Sequence, residues 1–145
     1  MSARDPWEIL EDFEAGLAAT PVDQDVEKGG FVIVYGGPMA LLGIELNRRF
    51  IFSVSEGPAP KKGVAANCYR YIRGELVGRY GLEPKARRVW LSDALIVEDR
   101  VRQLRQLIAG MHSIDVTPLA PDYTIFASQN AVAARWDVTL TFHYR

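Results

Sequence analysis

At 145 residues, 48% hydrophobic and 24% charged, the chain is long enough for one domain with a real core and too ordinary in composition for a disordered or low-complexity protein. The lone Cys68 excludes an intrachain disulfide and a cysteine-based metal site, and no apolar run approaches the ~18–20 residues that span a bilayer. The net charge of −1 hides an asymmetry, because residues 1–27 hold eight acids against one base (net −7) and the remainder holds sixteen bases against ten acids (net +6).

That split predicts an acidic first helix lying on a more basic body or on a neighbouring subunit's basic surface. The opening residues lead into acids rather than a hydrophobic signal segment, so the protein is expected to be made and kept in the cytosol. Asp5-Pro6-Trp7-Glu8 is a helix start, with Asp5 as cap, Pro6 at the first helical position and Glu8 at capping-box spacing. Trp7, Leu10, Phe13 and Leu17 then make an apolar stripe with Glu14 as its polar exception, and Thr20-Pro21 ends the helix. After a polar connection, the β-branched run Phe31-Val32-Ile33-Val34-Tyr35 predicts a strand covered on both faces, stopped by Gly36-Gly37-Pro38. From Ile44 to Ser55 apolar residues alternate, which fits one long strand or a hairpin turning near Asn47-Arg48. Residues 56–63, rich in Gly, Pro and Lys, read as an exposed loop.

Ala65, Cys68, Tyr69, Ile72, Leu76 and Tyr80 recur at three- and four-residue steps, so the spacing predicts an amphipathic helix closed by Gly81. Gly74 and Gly78 would each cost it about 1 kcal/mol unless they admit a close neighbour. Val89-Trp90-Leu91 reads as a brief strand. Ala94, Val97, Val101, Leu104, Ile108 and Met111 predict a helix ending near Gly110. Ile114-Asp115-Val116 and Tyr123-Thr124-Ile125-Phe126-Ala127 are strand candidates separated by Pro118 and Pro121. In the last eleven residues Trp136, Val138, Leu140, Phe142 and Tyr144 share one face and Arg135, Asp137, Thr139, Thr141, His143 and Arg145 the other. Burying the first four of those apolar side chains is worth roughly 6–12 kcal/mol before entropy, so this strand must pack, and a turn at Ser128-Gln129-Asn130 would pair it with residues 123–127. The sum is a single α+β domain: about three helices packed on a mostly antiparallel sheet of about five strands.

The stock of reactive groups is thin. His112 and His143 lie in no metal-ligand spacing, and there is no Gly-x-Ser-x-Gly elbow, His-Glu-x-x-His helix or phosphate loop. Gly36-Gly37 follows a strand, but Pro38-Met39-Ala40-Leu41-Leu42 offers no Lys or Ser/Thr for a phosphate. No catalytic, cofactor-binding or metal residue is therefore assigned, and an enzyme with an unrecognised site is the weakest alternative. Arg48-Arg49, Lys61-Lys62, Arg87-Arg88 and further arginines interleave with Tyr69, Tyr71, Tyr80 and Trp90, a combination that suits a small nucleic-acid- or protein-binding module. A pI near 6.1 lacks the electrostatic footprint of a nucleic-acid binder, which favours solvated faces and subunit contacts.

Thr117-Pro118-Leu119, followed from Asn130 by Arg135-Trp136-Asp137-Val138-Thr139-Leu140-Thr141-Phe142-His143-Tyr144, resembles the end of bacteriophage neck and tail-terminator proteins. The likeness covers about 35 residues, and the segment from Val89 to Met111 departs from it by an added helix. The resemblance implies a virion structural protein, assembled in the host cytoplasm and forming a homo-oligomeric ring, hexameric by analogy, at the head–tail junction or tail end. Its partners would be tail-tube and head-completion proteins, with genomic DNA near by. Head-to-tail association of that kind needs aromatic or Arg anchors, for which Trp7, Arg48, Arg49 and Trp90 are the candidates.

Overall fold

The computed structural model describes residues 4–60 and 68–144. These residues form one five-stranded mixed sheet in the order β1-β2-β3-β5-β4: β1 (Val32–Ile33), β2 (Arg49–Pro60), β3 (Tyr69–Gly81), β4 (Met111–Asp122) and β5 (Ala131–His143). β1 runs parallel to β2, and the other pairings are antiparallel. Among the described residues there are two α-helices rather than the expected three, α1 (Pro6–Ala18) and α2 (Pro84–Leu107), and both pack on one face of the sheet.

α1 begins where the sequence predicts. The Trp7 amide donates to Asp5 Oδ1 at 2.9 Å, and Pro6 opens the first turn. Its buried face is Ile9, Phe13, Glu14 and Leu17, a stripe rotated away from the expected one, so Trp7 stands 61% exposed. Asp5→Ala should cost about 1 kcal/mol in urea unfolding, the typical worth of such a cap.

The expected helix over 65–80 is instead β3 from Tyr69 onward; residues 65–67 lie outside the described residues. Positions four apart share a face in a helix and in a strand alike, and Ile72, Leu76 and Tyr80 satisfy both. Gly74 and Gly78 occupy the positions between them on that face, which hid the two-residue period. They are also where the helix-side aromatics of β2 sit. A Cβ on Gly78 would lie 2.5 Å from the Phe50 ring, and one on Gly74 would lie 2.6 Å from the Ser53 carbonyl oxygen and 2.8 Å from the Phe52 ring. A cross-strand aromatic ring over a glycine restores the packing that the missing side chain gives up.

Residues 44–55 form no hairpin. Arg48 takes a positive φ of 61°, and only then does β2 begin, running through residues 56–60 of the expected loop to Pro60; residues 61–63 of that loop lie outside the described residues. Pro58 and Pro60 are tolerated because β1 pairs only with Arg49 and Phe50, leaving the outer edge of β2 without a strand partner there among the described residues. The brief strand expected at 89–91 belongs to α2. Pro84 opens that helix, and Ala86, Val89, Asp93, Val97, Val101 and Leu104 are its buried face; a carboxylate in the stripe broke the apolar pattern. β4 runs through Pro118 and Pro121, as only an edge strand can.

β5 is central. It pairs with β3 from Tyr69↔His143 to Gly81↔Ala131, and with β4 on its other side, not with residues 123–127. Those residues form no strand: the Thr124 amide and hydroxyl donate to Asp122 at 2.8 and 2.6 Å, turning the chain. Phe126 then enters a small second core with Leu41, Ile51, Val77, Ala131 and Ala133 on the far face of the sheet. The main core lies between helices and sheet, around Phe13, Phe50, Leu76, Tyr80, Val97, Trp136 and Leu140.

Candidate assembly surfaces

The helix layer is tied to the sheet by a buried polar group that fixes where each surface lies. Arg48 and Asp93, each 1% exposed, pair through two bonds of 2.8 and 2.9 Å, and the Tyr80 hydroxyl donates to Asp93 Oδ2 at 2.8 Å. Arg48 Nη1 also reaches the carbonyls of Glu27 and Gly29 at 3.3 and 3.1 Å, so one guanidinium holds α2, the start of β2 and the 23–29 connection. Burial works against the Arg48 charge, but the bond and charge of Asp93 outweigh it and hold the guanidinium above its usual range. Burial, then the Asp93 charge, pushes the Tyr80 hydroxyl far above the ordinary phenol. Both shifts hold Arg48 charged and Tyr80 neutral near neutrality, which suits a structural clamp.

Of the four anchors expected from sequence, Arg48 is thus spent inside the chain. Arg49 begins β2 and donates to the Asn47 carbonyl at 2.9 Å. Trp90 is half-buried on α2, edge-on to Tyr123 with centroids 6.3 Å apart, and Trp7 is exposed at the start of α1. The fold does not gather the four into one patch.

Two other surfaces stand out. The first is a groove between α1 and the edge strand β1, lined by Glu11, Glu14, Ala15, Ala18, Val32 and Tyr35. Glu14 is only 7% exposed, and among the described residues it has no hydrogen-bond donor or cation; burial, then the Glu11 charge, raises its carboxyl above the usual range. A carboxyl with a raised folded pKa costs stability at neutral pH, and that cost is relieved as pH falls through the raised value. Glu14→Gln should therefore raise the Tm near pH 7, with the gap to the wild type closing on acidification in a series of thermal melts.

The second surface is the outer stripe of α2. Arg88, Leu91 and Leu95 recur at three and four residues opposite the buried face, with Leu91 61% and Leu95 68% exposed. Arg87 and Arg88 make no ion pair among the described residues, whereas farther along the helix Arg100 donates to the Gly16 carbonyl and Arg102 is held by Glu98 at 3.0 Å. Sequence reasoning noted Arg87-Arg88 but missed the stripe, because residues 89–91 read as a strand. Glu14 was visible as the polar exception in an apolar stripe.

Elsewhere the far face of the sheet carries internally matched charges, Arg73 with Asp137 and Arg135 with Glu75 at 2.9 and 2.6 Å. Tyr69, His112 and His143 stack at the opposite end of β3 with centroids 4.4–5.9 Å apart. Among the described residues, no group of three or more His, Cys, Asp or Glu side chains is placed to hold a metal. Among the described residues no helix is long and apolar enough to cross a membrane. No protein-family model matches the sequence, and no curated protein matches it.

Proposed function

We propose that this protein is a structural component of a tailed-bacteriophage particle, one subunit of a ring at the head–tail junction or the tail end, assembled in the host cytoplasm and acting through contacts with its own copies and with tail-tube and head-completion proteins rather than through catalysis. The observation that carries the reading is the place of the stretch that resembles the terminator ending. Arg135–Tyr144 supplies most of β5, the strand on which both neighbours and the helix layer depend, with Trp136, Val138, Leu140 and Phe142 buried beneath the helices and Arg135 bound to Glu75. Exposed Trp7, Leu91 and Leu95, with Tyr35 and Met39 elsewhere on the surface, add apolar area of the kind that assembly covers. Negative-stain imaging of the purified protein, alone and with isolated tail tubes, tests the reading. Rings, free or seated on tube ends, are expected; particles that never exceed one chain and never bind a tube would reject it.

A further inference from the structure

The two surfaces described above differ in kind and location. The groove opens at the β1 edge of the sheet, whereas the α2 stripe faces away from the sheet altogether. Neither can pair with itself: the groove would set Glu11 and Glu14 against their own copies, and the stripe would do the same with Arg88. Each fits the other in charge and in apolar content. A patch that fits a different patch on an identical molecule makes a head-to-tail contact, which propagates until the rotation closes it into a ring.

We infer that the α2 stripe of one copy docks into the α1–β1 groove of the next, with Arg88 meeting Glu14 and Glu11 while Leu91 and Leu95 cover Ala15, Ala18, Val32 and Tyr35. This rests on the ring reading and names the seam within it. Glu14 carries the assignment furthest. A carboxylate on a largely buried residue that lacks a donor or cation among the described residues is expensive within one chain, and because Glu14 lines the groove an incoming guanidinium can supply both hydrogen bonds and charge. The pairing also gives the exposed leucines, and the Arg87–Arg88 end of α2 that makes no ion pair among the described residues, a place to be buried. Its ionic part sits at an interface whose rim is open to water, so association should weaken as salt is raised.

The test uses the full chain and sedimentation velocity. Glu11→Arg disables the groove and Arg88→Glu with Leu95→Asp disables the stripe; all three positions are exposed, so circular dichroism and Tm should stay at wild-type values. Each variant alone should associate at least about tenfold more weakly than the wild type, as expected for loss of a central contact. Mixed one to one, the two variants retain a single intact groove and a single intact stripe between them, so they should stop at dimers and form no rings. Glu14→Gln should weaken association while raising the Tm, a split that a merely structural role for Glu14 would not produce. If the wild type assembles and the variants assemble equally well, this seam is wrong and the ring reading stands. If the wild type remains a monomer at every concentration and salt, this seam is wrong, and the ring reading falls with it when no ring forms on tube ends either.

Discussion

Asp93→Ala is expected to lower the free energy of unfolding by about 3–5 kcal/mol, the usual consequence of stranding one partner of a buried ion pair. The Arg48 guanidinium would then face Tyr80 and three backbone carbonyls with no anion, in a site 1% open to water. The loss is not the worth of the pair. Arg48→Met with Asp93→Leu and Tyr80→Phe removes both charges and the hydroxyl that donates to Asp93, and should recover most of the deficit, because the desolvation cost disappears with the attraction. Tyr80→Phe removes only the hydroxyl donor and should cost less, about 1.5–3 kcal/mol for a hydrogen bond to a charged group. Urea unfolding of the four proteins gives the ordering directly. A single Asp93→Ala variant as stable as the wild type would mean that α2 is not held to β2 in this way.

Phe50→Ala should be as costly, about 3–5 kcal/mol, in keeping with truncation of a fully buried aromatic. Phe50 touches Phe31 at 4.8 Å, Tyr80 at 6.2 Å and Trp136 at 6.3 Å between centroids, and its ring lies over Gly78 on the neighbouring strand. The converse change, Gly78→Ala, pushes a methyl into that ring and should cost about 1–3 kcal/mol by overpacking. Because the two sites share one space, the double variant should be more stable than the sum of the single losses implies, whereas distant pairs add. Additive losses from urea midpoints would show that the ring does not occupy the space over Gly78.

How much of this was legible in the chain depended on what filled each position. β5 could be read because every core-facing position from Val132 to Phe142 is apolar and most are large. β3 could not, because two of its core-facing positions are glycines whose volume is supplied by Phe50 and Phe52 from another strand, and what remained had helical spacing. The first half of α2 was obscured by one buried carboxylate. Asp93 is explained only by a cation 45 positions earlier, and periodicity carries no trace of such a partner. The prolines of β4 argued against a strand until its edge position was known. For the surfaces, the acidic bias of α1 and the Arg87-Arg88 pair were plain. Their opposition as groove and stripe depends on the rotation of each helix about its axis, which burial settles. Trp7 turned outward, contrary to the expected stripe, because Ile9 and Phe13 fill the space against the sheet.

The most direct measurement of the account is native mass spectrometry of the unmodified chain across a wide range of concentration at low salt. A closed homo-oligomer at a fixed multiple of the 16.2 kDa subunit, six by analogy with terminator rings, giving way to monomer as salt is raised, is the predicted spectrum. A single peak at 16.2 kDa under every condition would contradict it.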